Sequence, residues 1–215
     1  MRRNPIDLPL YLVLDPDLCG GPAAMVQTAC LAAQNGATVV QLRAPDWKKR
    51  QWLETARELK AALAPYGVPL IINDHVDIAL AVDAEGVHVG QGDLPPAETR
   101  RLIGPDKILG VSVSNAAELE DVPEGVDYLG IGPVFPTGTK PDAAQATGLP
   151  LFGELVAATR IPVVAIGGIH GGNCMSLFAA GTRGVAVVSA ICGQPDPGSA
   201  TAELRRKIRE TSPNW

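Results

Sequence analysis

Eight short apolar runs punctuate the chain, at 10–14, 39–42, 69–72, 86–89, 108–111, 128–131, 162–166 and 184–188. Most are continuously apolar rather than alternating. That pattern belongs to strands covered on both faces, as parallel sheets require. Helical stretches separate them. The 22–34 stretch is rich in Ala and Leu and closes on Asn35-Gly36, a stop signal. The 47–64 stretch puts Trp52, Ala56, Leu59 and Leu63 on one face, with Asp46 as its N-cap. The 95–103 stretch opens with proline in its first turn. Stretches 151–159, 172–180 and 200–210 complete the long set, and 76–82 and 116–119 are shorter. Eight strand–helix units in alternation predict an α/β fold, a closed (β/α)₈ TIM barrel. An open doubly wound sheet has fewer strands. No break in composition divides the chain, so residues 1–215 read as one barrel domain. The 132–150 segment, rich in Gly, Pro and Thr, reads as a lid or binding loop.

Composition fits this picture. At 215 residues the chain lies at the small end for such a barrel. Aromatics are few, so Val, Ile, Leu and Ala must fill the core. Eighteen Lys and Arg against 23 Asp and Glu give a net charge of −5. That argues against a nucleic acid or an anionic membrane as partner, yet leaves room for a small phosphorylated ligand held by local donors. The apolar run at 8–14 is short and is followed by Asp15 and Asp17, so it is a first strand rather than a signal peptide. No stretch approaches the roughly 20 apolar residues of a membrane helix. Cys19, Cys30, Cys174 and Cys192 form no CxxC pair. They suit a reducing cytoplasm and neither a zinc site nor a disulfide framework. A homo-oligomer is compatible with the sequence, which carries no decisive signal for one.

In a barrel, function belongs just after each strand. There the sequence places Gln41 and Arg43, Asn73 and Asp74, Gly90–Asp93, Ser112, Thr137–Lys140, Gly167-Gly168, and Val188-Ser189. Asp74 and Asp93 are the metal candidates, because Mg²⁺ takes one or two carboxylates with water and phosphate oxygens. Taken singly, each is more readily a helix cap; their shared rim reverses that preference toward the metal. Gly167-Gly168 lets backbone N–H groups approach an anion, with Val188-Ser189 as the other half. Thr137-Gly138-Thr139-Lys140 offers hydroxyls and a cation on a segment that can close over a phosphate. It lacks the spacing of a Walker loop. Arg43 ends an apolar strand, where it serves as an ion-pair partner or grips phosphate through its fork. Of the three histidines, only His75 is expected near the rim. No Ser-His-Asp logic and no GxGxxG are present. The residues alone point to a metal and two anion sites, suited to phosphoryl or diphosphate chemistry.

The segments YLVLD (11–15), VVQLR (39–43), PLIINDHVDIALAV (69–82), GVHVGQGDLP (86–95), ILGVSVS (108–114), DYLGIGPVFPTGTKPDA (127–143), IPVVAIGGI (161–169) and GVAVVSAI (184–191) resemble the thiamine-phosphate synthase family. The resemblance spans nearly the whole chain. It implies a barrel that joins hydroxymethylpyrimidine diphosphate to thiazole phosphate, a transfer releasing thiamine phosphate and diphosphate. By position it implies that Asp74 and Asp93 hold Mg²⁺. Gln41, Arg43, Asn73, Ser112 and Lys140 would meet the pyrimidine diphosphate. Thr137, Thr139, Gly168, Val188 and Ser189 would meet the thiazole phosphate. Arg43, Ser112 and Lys140 would act in catalysis. The chain departs from the family at Ala44-Pro45, where an acidic residue and a lysine are usual. Lys48, Lys49 or Arg50 is the candidate replacement for that cation. His75 stands where many members have Arg. These departures leave two alternatives: a thiazole tautomerase on the same barrel, and a non-catalytic regulator that binds a phosphorylated ligand.

Overall fold

The computed structural model describes residues 6–138 and 145–211. Eight parallel strands run in chain order: β1 (Leu10–Leu14), β2 (Val39–Leu42), β3 (Leu70–Asn73), β4 (Gly86–Val89), β5 (Ile108–Val113), β6 (Tyr128–Ile131), β7 (Val163–Ile166) and β8 (Gly184–Val187). They close into a barrel through the pairing of Leu10–Leu12 with Val185–Val187. The expected (β/α)₈ barrel is therefore the observed one.

Strand parity sorts the core into two shells. Leu10, Leu12 and Leu14 face the helices, with Val40, Leu42, Leu70 and Ile72 beside them. Tyr11 and Val13 fall on the other parity and pack inside with Val39, Ile71, Tyr128, Val164 and Ala186. The inner shell is narrow, so small residues must face the rings. A Cβ at Gly110 would lie 2.2 Å from Tyr128 Cζ and 2.5 Å from His88 Nδ1. Only glycine there lets both rings into the barrel.

The helices are α1 (Pro16–Cys19), α2 (Pro22–Gln34), α3 (Lys49–Leu63), α4 (Val76–Ala81), α5 (Pro96–Ile103), α6 (Ala116–Glu120), α7 (Gly148–Ala157), α8 (Cys174–Ala179) and α9 (Pro197–Thr211). Several bounds differ from expectation, α7 starting three residues early and α8 two residues late; for α3, α9 and α1 the reason is local. The α3 helix starts at Lys49, two residues late, and Lys48 rather than Asp46 holds its N-cap position. Trp47 N donates to Ala44 O and Trp52 Nε1 donates to the same carbonyl at 3.0 Å, so a turn occupies 44–47. The α9 helix starts three residues early, because Asp196 accepts from Ser199 N at 3.0 Å and from its hydroxyl at 2.6 Å. The α1 turn was not anticipated. Asp15 caps it through Asp17 N and Leu18 N.

The face where strands begin is held by ionic staples. Arg100 binds Asp127 at 2.7 Å and also donates to Gly104 O, Lys107 O and Gly125 O. The carboxylate of Asp127 accepts from Leu109 N as well. These contacts join α5 to the entries of β5 and β6, a stabilising role.

Candidate functional site

The opposite face, where strands end, holds a cavity of about 460 Å³. Gln41, Arg43, Asn73, Asp74, Asp93, Ser112, Thr137, Gly168, Val188 and Ser189 all line it. Thr139 and Lys140 lie outside the described residues. Among the described residues, Arg43 is the only Lys or Arg lining the cavity. Lys48, Lys49 and Arg50 do not line it. Lys49 is engaged elsewhere: its Nζ is 2.9 Å from Asp77 Oδ1 and 2.8 Å from His75 Nδ1.

His75 is not the cavity's histidine, contrary to expectation. Its ring meets Trp52 edge-on, with centroids 4.6 Å apart. His88, inside β4, takes that place. Its inward parity was hidden in the sequence because Gly-Val-His-Val scans as an apolar run. The register pairs it with Asn73 and Gly110.

His88 sits in a hydrogen-bonded chain that crosses the barrel. Gln41 Nε2 donates to Tyr11 Oη at 2.9 Å. Tyr11 and Tyr128 hydroxyls are 2.7 Å apart. Tyr128 Oη is 3.0 Å from His88 Nδ1, and His88 Nε2 is 2.9 Å from Ser112 Oγ. Counting donors sets the direction. Tyr11 accepts from Gln41 and so donates to Tyr128, which donates to Nδ1. The proton on Nε2 then goes to Ser112 Oγ. Ser112 keeps its own proton as a donor, and Gln41 keeps its amide oxygen as an acceptor.

Burial enforces this state. It pushes the His88 pKa down to about 4, against the opposing pull of Asp93, so the ring is neutral near neutral pH. Burial likewise raises Tyr128 well above the ordinary phenol range, and Tyr11 also stands above it. Neither phenol ionises, and both serve as fixed dipoles.

The two carboxylates are not helix caps. His75 and Pro95 occupy the N-cap positions of α4 and α5, with no side-chain cap bond at either. Asp93 Oδ2 accepts from Gly90 N at 2.8 Å, which fixes the β4 turn. Asp74 has a φ of +60°, and its N–H donates to His88 O at 2.8 Å. A left-handed aspartate stores strain on the order of 1 kcal/mol, and such strain gathers at functional positions. Among the described residues no cluster of three His, Cys, Asp or Glu could hold a metal by itself. Two hard carboxylates from adjacent strands fit Mg²⁺, which completes its shell with water and substrate oxygens.

The segment after β6 is zipped onto the end of β7. Val134 N donates to Ile166 O at 2.9 Å, and Phe135 N donates to Gly167 O at 3.1 Å. A Cβ on Gly168, at φ +64°, would stand 2.6 Å from Pro136 O. Glycine is therefore required for this contact, which brings Thr137 to the same cavity edge as Gly168. Asn173 Nδ2 donates to Gly168 O at 2.9 Å and holds the turn from behind. Gln194 Nε2 donates to Ser189 O at 2.8 Å and does the same on the β8 side.

Residues 10–191 match the family model described as thiamine monophosphate synthase. The chain belongs to this family. It is 55% identical over 202 residues to the thiamine-phosphate synthase of Laribacter hongkongensis, covering 94% of this chain and 96% of that protein. It is 50% identical over 207 residues to that of Xanthobacter autotrophicus, covering 95% and 97%. In structure it is similar to the thiamine phosphate pyrophosphorylase from Pyrococcus furiosus, with a TM-score of 0.87 and 36% identity, covering 96% of this chain and 98% of that one. Thiamine monophosphate synthase relatives thus match over nearly the full barrel. The tautomerase and regulator alternatives gain no support from them.

Proposed function

We infer that this family member is a transferase that makes thiamine phosphate, joining hydroxymethylpyrimidine diphosphate to thiazole phosphate and releasing diphosphate. What carries the reading is one cavity at the strand ends where Asp74, Asp93 and Arg43 meet the turns at Gly167-Gly168 and Val188-Ser189, in a chain of this family.

The division of labour follows from donor chemistry. Gln41 offers an amide to the pyrimidine, and Ser112 offers the hydroxyl proton that His88 leaves to it. Arg43 and Asn73 face the diphosphate; the guanidinium fork suits its oxygens. Gly168, Val188, Ser189 and Thr137 surround the thiazole phosphate. Thr139 and Lys140 join these groups by resemblance alone. Held by Asp74 and Asp93, Mg²⁺ would neutralise the charge that grows on the departing diphosphate. Departure leaves a pyrimidine-methyl cation, which the ring nitrogen of the thiazole captures with its lone pair. That step needs no general base. Fixed dipoles from the Tyr11–Tyr128–His88 chain hold Gln41 and Ser112 in place without reorganisation. Closure of the site keeps water from the cation.

The partners in this reading are small phosphorylated molecules, with no nucleic acid and no membrane. No helix among the described residues is long and apolar enough to cross a membrane, and a biosynthetic role suits the cytoplasm. The test is diphosphate release by the purified protein with Mg²⁺, omitting each substrate in turn. Release that requires both substrates supports the synthase. No release above background from the complete mixture of both substrates and Mg²⁺ overturns it.

A further inference from the structure

Both turns at the phosphate end of the cavity have their carbonyls tied off by hydrogen bonds. After β7, Gly167 O accepts from Phe135 N at 3.1 Å and Gly168 O accepts from Asn173 Nδ2 at 2.9 Å. After β8, Val188 O accepts from Ile191 N at 3.0 Å and from Cys192 N at 2.8 Å. Ser189 O accepts from Gln194 Nε2 at 2.8 Å. In a trans peptide the N–H of the next residue points opposite to the carbonyl. The matching groups are the N–H of Gly168, Ile169, Ser189 and Ala190. None of the four donates to another of the described residues. Neighbouring main-chain donors left over in this way form a cradle for an anion.

Two of the tied carbonyls are held by the main chain and two by side chains. Neither Asn173 nor Gln194 lines the main cavity. Gln194 lines a second one, of about 330 Å³, with Cys19, Thr28 and Asp196. The Gly168 and Ser189 carbonyls therefore point out of the site. Asn173 occupies the N-cap position of α8 yet makes no side-chain cap bond. An asparagine there ordinarily accepts from the first turn of its helix. This one is turned back: Oδ1 accepts from His170 N at 2.9 Å while Nδ2 serves Gly168 O. Gripped at both ends, the amide has one orientation only. Gln194 is exposed and gripped at Nε2 alone.

We propose that Asn173 and Gln194 are positioning residues for the phosphorylated thiazole. By holding the Gly168 and Ser189 carbonyls away from the cavity, they aim the Ile169 and Ala190 N–H groups at the phosphate. The Gly168 and Ser189 N–H groups are aimed by main-chain bonds and need no side chain. Arg43 faces the diphosphate, so among the described residues neutral donors hold the thiazole phosphate. Their aim then decides its affinity. The choice of ligand rests on the synthase reading above; the direction of the four N–H groups does not.

The test compares full-length wild type with Asn173→Ala and Gln194→Ala. The KM for thiazole phosphate should rise about five- to tenfold in Asn173→Ala. It should rise about twofold in Gln194→Ala, where water can serve the exposed carbonyl. The kcat and the KM for the pyrimidine diphosphate should stay near wild type. Equal losses toward both substrates, or an unchanged KM for thiazole phosphate in both variants, overturn the proposal. A second arm needs no turnover: thiazole phosphate alone is titrated into isotopically labelled protein and followed by amide NMR. The Ile169 and Ala190 signals should move as the wild type binds. Asn173→Ala should shrink the Ile169 shift and spare that of Ala190, and Gln194→Ala should do the reverse. Binding that leaves both wild-type signals still sinks the idea. If Asn173→Ala does not fold, the exposed Gln194→Ala change carries both arms. Wild type that binds and shifts without turnover counts against the synthase reading alone. Wild type that binds no thiazole phosphate removes this proposal together with the phosphate site.

Discussion

His88 Nε2 lies 2.9 Å from Ser112 Oγ; with Nδ1 accepting from Tyr128, the Nε2–H donates to that oxygen and leaves the serine hydroxyl to donate into the cavity. The relation depends on a neutral imidazole, and burial supplies that. Replacing His88 by Phe leaves the Tyr128 and Ser112 hydroxyls without this partner. The expected loss of stability is about 1–3 kcal/mol, read as a lower denaturant midpoint. Turnover should fall as well, since Ser112 is then free to rotate away.

The same burial predicts a pH dependence of stability. The folded pKa of His88, about 4, lies below its ordinary value of 6.5. The unfolded chain therefore binds more protons between those values, and stability falls as pH falls through that window. Linkage puts the loss at about 2 kcal/mol between pH 7 and pH 5. Denaturant titrations of wild type and His88→Gln at both pH values should differ by roughly that amount. Parallel behaviour of the two proteins would remove His88 as the source.

Gly110→Ala should be more damaging than its size suggests. The added methyl would collide with Tyr128 Cζ and His88 Nδ1, and such overpacking costs about 1–3 kcal/mol. Unfolding curves and kinetics should show stability and turnover falling together.

Asp74→Gly separates stability from activity. It removes the left-handed strain and should raise stability by about 1 kcal/mol. It also removes a carboxylate from the cavity, so turnover should collapse and the Mg²⁺ needed for half-maximal rate should rise. Asp93→Asn should show the same shift in Mg²⁺ titrations without the gain in stability.

Much of this was legible in the chain. The eight apolar runs locate the strands to within a residue or two, because a strand buried on both faces must be apolar throughout. The polar residues after them locate the cavity, because strand ends share one face. His88, Tyr11 and Tyr128 were not legible. Their role depends on which parity faces inward, and a continuous apolar run does not reveal parity. Gly110 and Gly130 carry the missing signal: small residues on β5 and β6 make room for the rings across from them. Asp46 misled as a cap because the Trp47 and Trp52 bonds to Ala44 O favour a turn there.

Lys49 illustrates a second limit. Its place beyond Ala44-Pro45 suggested a substitute cation, yet it pairs with exposed Asp77 and with His75. Such exposed pairs are worth about 0–1 kcal/mol. Lys49→Ala should leave turnover within about twofold of wild type and shift the denaturant midpoint only slightly. A large rise in KM for the diphosphate substrate would return Lys49 to the site.

The central claim is that one cavity joins two phosphorylated molecules with loss of diphosphate. Phosphorus NMR of the purified protein with Mg²⁺ and both substrates tests it directly. The account predicts that thiamine phosphate and diphosphate appear one to one as both substrates decline. Unchanged substrate signals, or conversion of thiazole phosphate alone, would contradict it.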